Sequence, residues 1–122
     1  NAYQQMATWH RQLGKDKLEI LLFPTDDFNQ DNPSTDSAFV RRYGLPSDGG
    51  GCTLMSKTKV KGPEAHSVFQ FAKTAYPGEI GWNFDGAYLF DGKGAPRGKF
   101  SLRSPPNVKA MEEALKTIAS EL

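Results

Sequence analysis

A short, almost continuous apolar run at residues 18–23 restricts the possible folds more than any other feature of the chain. Pro24 ends the run, and helical patterns stand on either side, at residues 2–13 and at residues 34–43. A run of this length between helices is typical of a strand buried on both faces of an α/β sheet. Such a strand needs a neighbour that a right-handed crossover can reach. We therefore expect a first core strand before the opening helix, ahead of Asn1.

The rest of the chain alternates strand and helix patterns. Alternating polar and apolar residues predict a strand at 54–60, whereas the glycine-rich stretch 46–51 before it predicts a turn or loop. Two more strands are predicted at 87–90 and 97–102, and the intervening sequence Asp-Gly-Lys-Gly is typical of a hairpin turn.

Three positions mark where predicted helices begin. Ser34 is a good N-cap for the second helix, Gly62-Pro63 introduces the third, and Ser104 with two prolines opens the last. The last helix carries apolar residues three and four positions apart, a core-facing stripe of Val108, Met111, Leu115, Ile118 and Leu122. The order α-β-α-β-α-β-β-α predicts an α/β protein with a thioredoxin-like fold, in which helices flank a central mixed sheet. We expect residues 1–122 to form a single domain that lacks the first core strand.

Charge and cysteine content exclude several classes of function. The fifteen Lys and Arg residues are scattered and the net charge is +1, which argues against a nucleic-acid partner. The longest uninterrupted apolar run has four residues, too few for a transmembrane segment. One cysteine cannot form an internal disulfide, and with two histidines it does not predict a metal site. No cofactor and no metal are predicted.

Four segments stand in order along the chain and together resemble one family. They are Phe-Pro-Thr-Asp-Asp-Phe at 23–28, Val-Lys-Gly-Pro-Glu-Ala-His at 60–66, Gly-Trp-Asn-Phe at 81–84, and the hairpin with its terminal helix. The glutathione peroxidases have Phe-Pro-Cys-Asn-Gln-Phe, Val-Asn-Gly-Pro-x-Ala-His and Trp-Asn-Phe at the corresponding places. Pro33 stands where the family's proline closes a loop, and the present sequence is one residue longer after Trp-Asn-Phe. The chain thus resembles the glutathione peroxidase family over nearly its whole length.

The resemblance implies thiol-dependent reduction of hydroperoxides by a peroxidatic cysteine or selenocysteine, whose ionised form is the nucleophile. In the family this residue lies just before the first helix, so it is expected a few residues upstream of Asn1, outside the chain. Trp82 and Asn83 match two of the family's hydrogen-bond donors, which stabilise the thiolate and the charge on the leaving oxygen.

Two positions depart from the family's pattern. Asp27 occupies the place of the donor glutamine, but an ionised carboxylate only accepts hydrogen bonds and raises the pKa of a nearby thiol. Thr25 stands where many thioredoxin-dependent members carry a resolving cysteine. The catalytic set implied by the resemblance is therefore Trp82, Asn83 and a degenerate Asp27, without its nucleophile.

Several residues have a second interpretation. We interpret Cys52 as a packing residue, with a substitute redox thiol as the alternative. We expect His66 to bond backbone or to be solvated, with a general base as the alternative. Asp26 and Asp27 are expected to be solvated rather than to bind a metal. Trp82 and Asn83 are either a retained active site or retained parts of the fold.

Two hypotheses for function follow, and the sequence leaves open whether the protein is an enzyme. In the first, the protein reduces hydroperoxides with glutathione or thioredoxin as partner. In the second, it is an inactive homologue that serves as a structural or assembly subunit and has protein partners. Under either hypothesis we expect a soluble protein of the cytosol or an organelle lumen.

Overall fold

A computed structural model describes residues 1–28 and 36–122, whose contacts group into two compact units, Asn1–Thr58 and Lys59–Leu122. Helix and strand alternate along the chain, and three of the strands form a small mixed sheet. This is the predicted α/β class, consistent with a thioredoxin-like fold. That the chain is a single domain, and that a further core strand precedes it, stay predictions.

The first unit contains helices α1 (Ala2–Leu13) and α2 (Ser37–Arg42). The prediction for α1 is confirmed, because the Asn1 side chain accepts the N–H of Gln4 at 2.9 Å and completes a capping box. Met6, Ala7 and Trp9 form its buried face. Helix α2 begins after Asp36, whose carboxylate accepts the N–H of Phe39 at 2.9 Å. The predicted cap Ser34, like Pro33, lies outside the described residues.

The sheet of the first unit has three short strands in the order β1-β3-β2. Strand β1 (Ile20–Leu22) runs parallel to β3 (Cys52–Leu54), and β2 (Asp48–Gly49) runs antiparallel to β3. The prediction that the first apolar run is buried on both faces is wrong, because the side chain of Leu21 is 45% exposed. Leu21 alternates with two partly buried neighbours on an edge strand, so one face of this strand meets solvent.

The strand predicted at 54–60 is misplaced, since β3 ends at Leu54 and residues 55–60 have no regular secondary structure. The parallel ladder cannot extend further because β1 stops before Pro24, which has no N–H to donate. Beyond β3, the N–H of Met55 donates to the carbonyl of Leu22 at 2.8 Å, and the N–H of Thr58 donates to the carbonyl of Pro24 at 3.0 Å. The glycine-rich stretch contributes β2 and the turn of a hairpin, where Gly50 and Gly51 have positive φ angles of 71° and 105°.

The second unit contains α3 (Ser67–Ala75), β4 (Ala87–Phe90), β5 (Pro96–Phe100) and α4 (Pro105–Ser120). Strands β4 and β5 pair as the predicted antiparallel hairpin, although β5 ends two residues earlier than expected. The carboxylate of Asp91 accepts the backbone N–H groups of its own loop at 2.9 and 3.0 Å, which stabilises the turn.

Each helix of the second unit has a buried apolar face, but the stripe predicted for α4 is only partly buried at Val108 and Met111. Phe69 and Ala72 of α3 and Leu115 and Ile118 of α4 are buried. Leu122 was predicted to continue the stripe of α4, but the helix ends at Ser120 and Leu122 is exposed. None of the helices in the described ranges has both the length and the apolar character needed to cross a membrane.

Candidate functional site

Trp82 and Asn83 lie together in a turn between the buried Ile80 and strand β4. The N–H of Asp85 donates to the carbonyl of Trp82 at 3.1 Å and closes the turn. The Trp82 side chain is 37% exposed, so its indole reaches the surface of the unit. Phe84 has a φ of +64°, the only positive φ of a non-glycine residue in the described part of the chain.

The segment after β5 makes three hydrogen bonds to this turn. The N–H of Leu102 donates to the carbonyl of Phe84 at 2.8 Å. The two carboxylate oxygens of Asp85 accept the Ser101 hydroxyl at 2.7 Å and the Arg103 guanidinium at 3.1 Å. Sequence reasoning missed these residues.

Asp27 lies in the first unit, in a turn that follows β1. Its N–H donates to the Thr25 hydroxyl oxygen at 3.2 Å, a local bond typical of a hydroxyl two residues upstream. The neighbouring Asp26 carboxylate lies 3.8 Å from the ammonium of Lys57, and both side chains are about half exposed. Within residues 1–28 and 36–122, no group of three or more His, Cys, Asp or Glu side chains is placed to hold a metal ion.

Cys52 lies in the middle of the first unit's sheet, opposite Ile20 of β1, with none of its surface exposed. Burial, with a smaller contribution from the Glu19 carboxylate, raises the pKa of the thiol to about 11. Both effects disfavour the thiolate, which is the nucleophilic and redox-active form. This confirms the interpretation of Cys52 as a packing residue.

His66 precedes the first residue of α3 and acts as its N-cap. Its Nδ1 accepts the N–H of Val68 at 3.1 Å, which satisfies a donor that the helix itself leaves unpaired. The expected backbone-bonding role of His66 is confirmed.

Comparison with known proteins shows which proteins the chain resembles. No protein-family model matches the chain. A glutathione peroxidase of Lactococcus lactis is 36% identical over 106 residues, which cover 83% of the chain and 64% of that protein. A glutathione peroxidase of Schistosoma mansoni is 30% identical over 112 residues, covering 85% and 63%. The chain is similar to glutathione peroxidases over most of its length.

A third relative has a different name. A hydroperoxy fatty acid reductase of Synechocystis is 28% identical over 124 aligned positions, which cover 93% of the chain and 72% of that protein. The chain spans just under two thirds of the length of the Lactococcus and Schistosoma peroxidases.

The positions that the resemblance singles out lie in two turns, one in each unit. Trp82 and Asn83, which match the family's donor pair, share one turn of the second unit. Asp27, at the glutamine position, and Thr25, at the position of a resolving cysteine, share a turn of the first unit. The catalytic roles of these residues stay predictions.

Proposed function

We propose that this protein reduces hydroperoxides with a thiol donor, that Trp82 and Asn83 donate hydrogen bonds to the reacting atoms, and that Cys52 is not the nucleophile. The observation that carries the proposal is the hydrogen-bonded, partly exposed Trp82–Asn83 turn in a chain that is similar to glutathione peroxidases. An indole N–H and a carboxamide NH₂ are donors, and donors aimed at developing negative charge lower the barrier of such a reaction.

The reaction proceeds in two stages. A thiolate or selenolate attacks one peroxide oxygen, the O–O bond breaks, and the departing alkoxide or hydroxide takes a proton to leave as an alcohol or as water. The resulting sulfenic or selenenic acid is reduced by two thiol equivalents, which form a disulfide and release water. Glutathione and thioredoxin are the reductants we propose, and the name of the Synechocystis relative makes fatty acid hydroperoxides a substrate to test.

The burial of Cys52 supports the second half of the proposal. A peroxidatic thiol must be ionised near neutral pH and must reach its substrate, whereas this thiol is fully buried and its pKa is raised to about 11. The nucleophile expected upstream of Asn1 stays a prediction.

The experiment is a coupled assay on the full-length protein. Consumption of tert-butyl hydroperoxide is followed through NADPH oxidation, with glutathione and its reductase or with thioredoxin and its reductase. Trp82→Phe and Asn83→Ala should each lower kcat/KM by about 10²- to 10³-fold, whereas Cys52→Ala should retain the parent rate. Trp9→Phe is the matched control, because Trp9 is buried in α1 of the other unit.

Two results would contradict the proposal. Peroxide consumption no faster than that of a free thiol would remove the peroxidase function altogether. Loss of activity in Cys52→Ala, with the fold intact by circular dichroism, would make Cys52 the nucleophile.

The second candidate function is that of an inactive structural or assembly subunit. Its support is Asp27, an acceptor where the family has a donor, together with Thr25, whose hydroxyl already bonds the backbone of Asp27. Under the first hypothesis Asp27→Gln should raise kcat/KM, because it restores a donor and removes a negative charge. Under the second it changes nothing, and native mass spectrometry of the protein from its source should show a larger complex. A fully active, monodisperse monomer would exclude this candidate.

A further inference from the structure

The backbone of the Trp82–Asn83 turn is strained at the residue that follows the donor pair. Phe84 occupies the left-handed region with a φ of +64°, where the Cβ of an L-residue crowds the following carbonyl oxygen. A bulky side chain persists there only when its surroundings impose the conformation. The cause must therefore be sought in the groups that bond this turn.

Three hydrogen bonds to this turn come from the segment that follows β5. The N–H of Leu102 reaches the carbonyl of Phe84 at 2.8 Å, directly at the strained residue. One residue further on, Asp85 accepts two side-chain donors, the Ser101 hydroxyl at 2.7 Å and the Arg103 guanidinium at 3.1 Å. Its side chain is 28% exposed, so the bond to Ser101 is partly shielded from water.

The donors of Asp85 are themselves tied to the body of the unit. The N–H of Ser101 donates to the Asn107 carboxamide oxygen of α4 at 3.1 Å. The hydroxyl oxygen of Ser101 accepts the N–H of Arg103 at 3.2 Å, so its own proton is directed to Asp85. A continuous series of hydrogen bonds thus connects the turn to α4.

We propose that Asp85 is a positioning residue that imposes the strained conformation of Phe84 and thereby orients the Trp82 and Asn83 donors. This inference rests on the proposed function for its catalytic meaning. The carboxylate does not touch the reacting atoms; it fixes the turn through Ser101 and Arg103. Of these two bonds, the one to Ser101 carries most of the effect, because Arg103 is more than half exposed and exposed ion pairs contribute little.

The conformational test uses nuclear magnetic resonance on the full-length protein and needs no enzymatic activity. In Asp85→Ala the indole resonance of Trp82 and the side-chain amide resonances of Asn83 should shift or broaden. The strong intraresidue NH–Hα Overhauser effect that a positive φ gives Phe84 should be lost. Asp91→Ala is the matched control, because it removes another carboxylate that accepts hydrogen bonds in the same unit.

A second substitution separates positioning from a merely structural role. Phe84→Gly in the Asp85→Ala background should restore the Trp82 and Asn83 resonances, because glycine adopts a positive φ without steric cost. If Asp85→Ala does not fold, Ser101→Ala, which removes one donor, takes its place with the same rescue.

The outcomes are decisive. Resonances of Trp82 and Asn83 no more perturbed than in the Asp91→Ala control would overturn the proposal, and so would a perturbation that Phe84→Gly fails to rescue. In the assay above, Asp85→Ala should lower kcat by about 10²-fold with little change in KM. A protein without peroxidase activity would refute the proposed function but would leave the resonance test of Asp85 unchanged.

Discussion

Alkylation of Cys52 tests whether burial makes this thiol inert. We consider reaction of the full-length protein with iodoacetamide at pH 7. An ordinary thiol with a pKa near 8.5 is about 3% ionised at this pH. A thiol with a pKa of about 11 is ionised to about 0.01%, so ionisation alone should slow the reaction about 300-fold relative to glutathione. Complete burial slows it further, because the reagent must wait for a local opening.

The assay follows the mass of the peptide that contains Cys52, with glutathione as a parallel standard. Between pH 7 and 10 the rate should rise about tenfold per pH unit without a plateau, since the thiol remains below its pKa throughout. Cys52→Ala gives the background from any other thiol. The same protein unfolded in urea should react like glutathione, which shows that the thiol is intact.

A rate at pH 7 within about tenfold of that of glutathione would refute this reasoning. A plateau below pH 9 would also refute it, because it would place the pKa of the thiol near its ordinary value. Glu19→Gln should accelerate the reaction only slightly, since the carboxylate is the smaller cause of the raised pKa.

Three further predictions concern stability. Gly51→Ala should lower the free energy of unfolding, measured by urea denaturation, by about 1–3 kcal/mol more than Gly14→Ala does. Both glycines have a positive φ, but only at Gly51 would a Cβ lie 2.8 Å from the His10 ring. Leu45→Ala should lower the free energy of unfolding by about 2–5 kcal/mol, because Leu45 is only 2% exposed. An unchanged denaturation midpoint would contradict its place in the core. The pKa of Asp91 lies below its ordinary value of 3.8, because the carboxylate accepts hydrogen bonds from the backbone of its own loop and from Arg97. The unfolded chain therefore binds this proton first, so stability should fall as the pH drops below about 4, and Asp91→Asn should flatten that acid slope.

Elements with local signals could be predicted from the sequence. Helix α1 begins after Asn1 and ends before Gly14 because the cap and the glycine act within one turn of the chain. The hairpin of β4 and β5 was equally predictable, since a turn sequence with glycines stands between two strand-forming runs. The bounds of β3 were not predictable, because a strand ends where its partner strand ends. The partner β1 ends before Pro24, which is far from β3 in the sequence.

For the candidate site, the sequence by itself determined the family motif and the identity of the Trp82–Asn83 pair. It also showed that Asp27 replaces a donor with an acceptor. Only the tertiary structure decided that Cys52 is buried with a raised pKa, and that Asp85 is bonded to residues sixteen and eighteen positions away. The physical reason is that pKa values and backbone strain depend on the solvent exposure and on the charges and donors that folding brings together, and these are not neighbours in sequence.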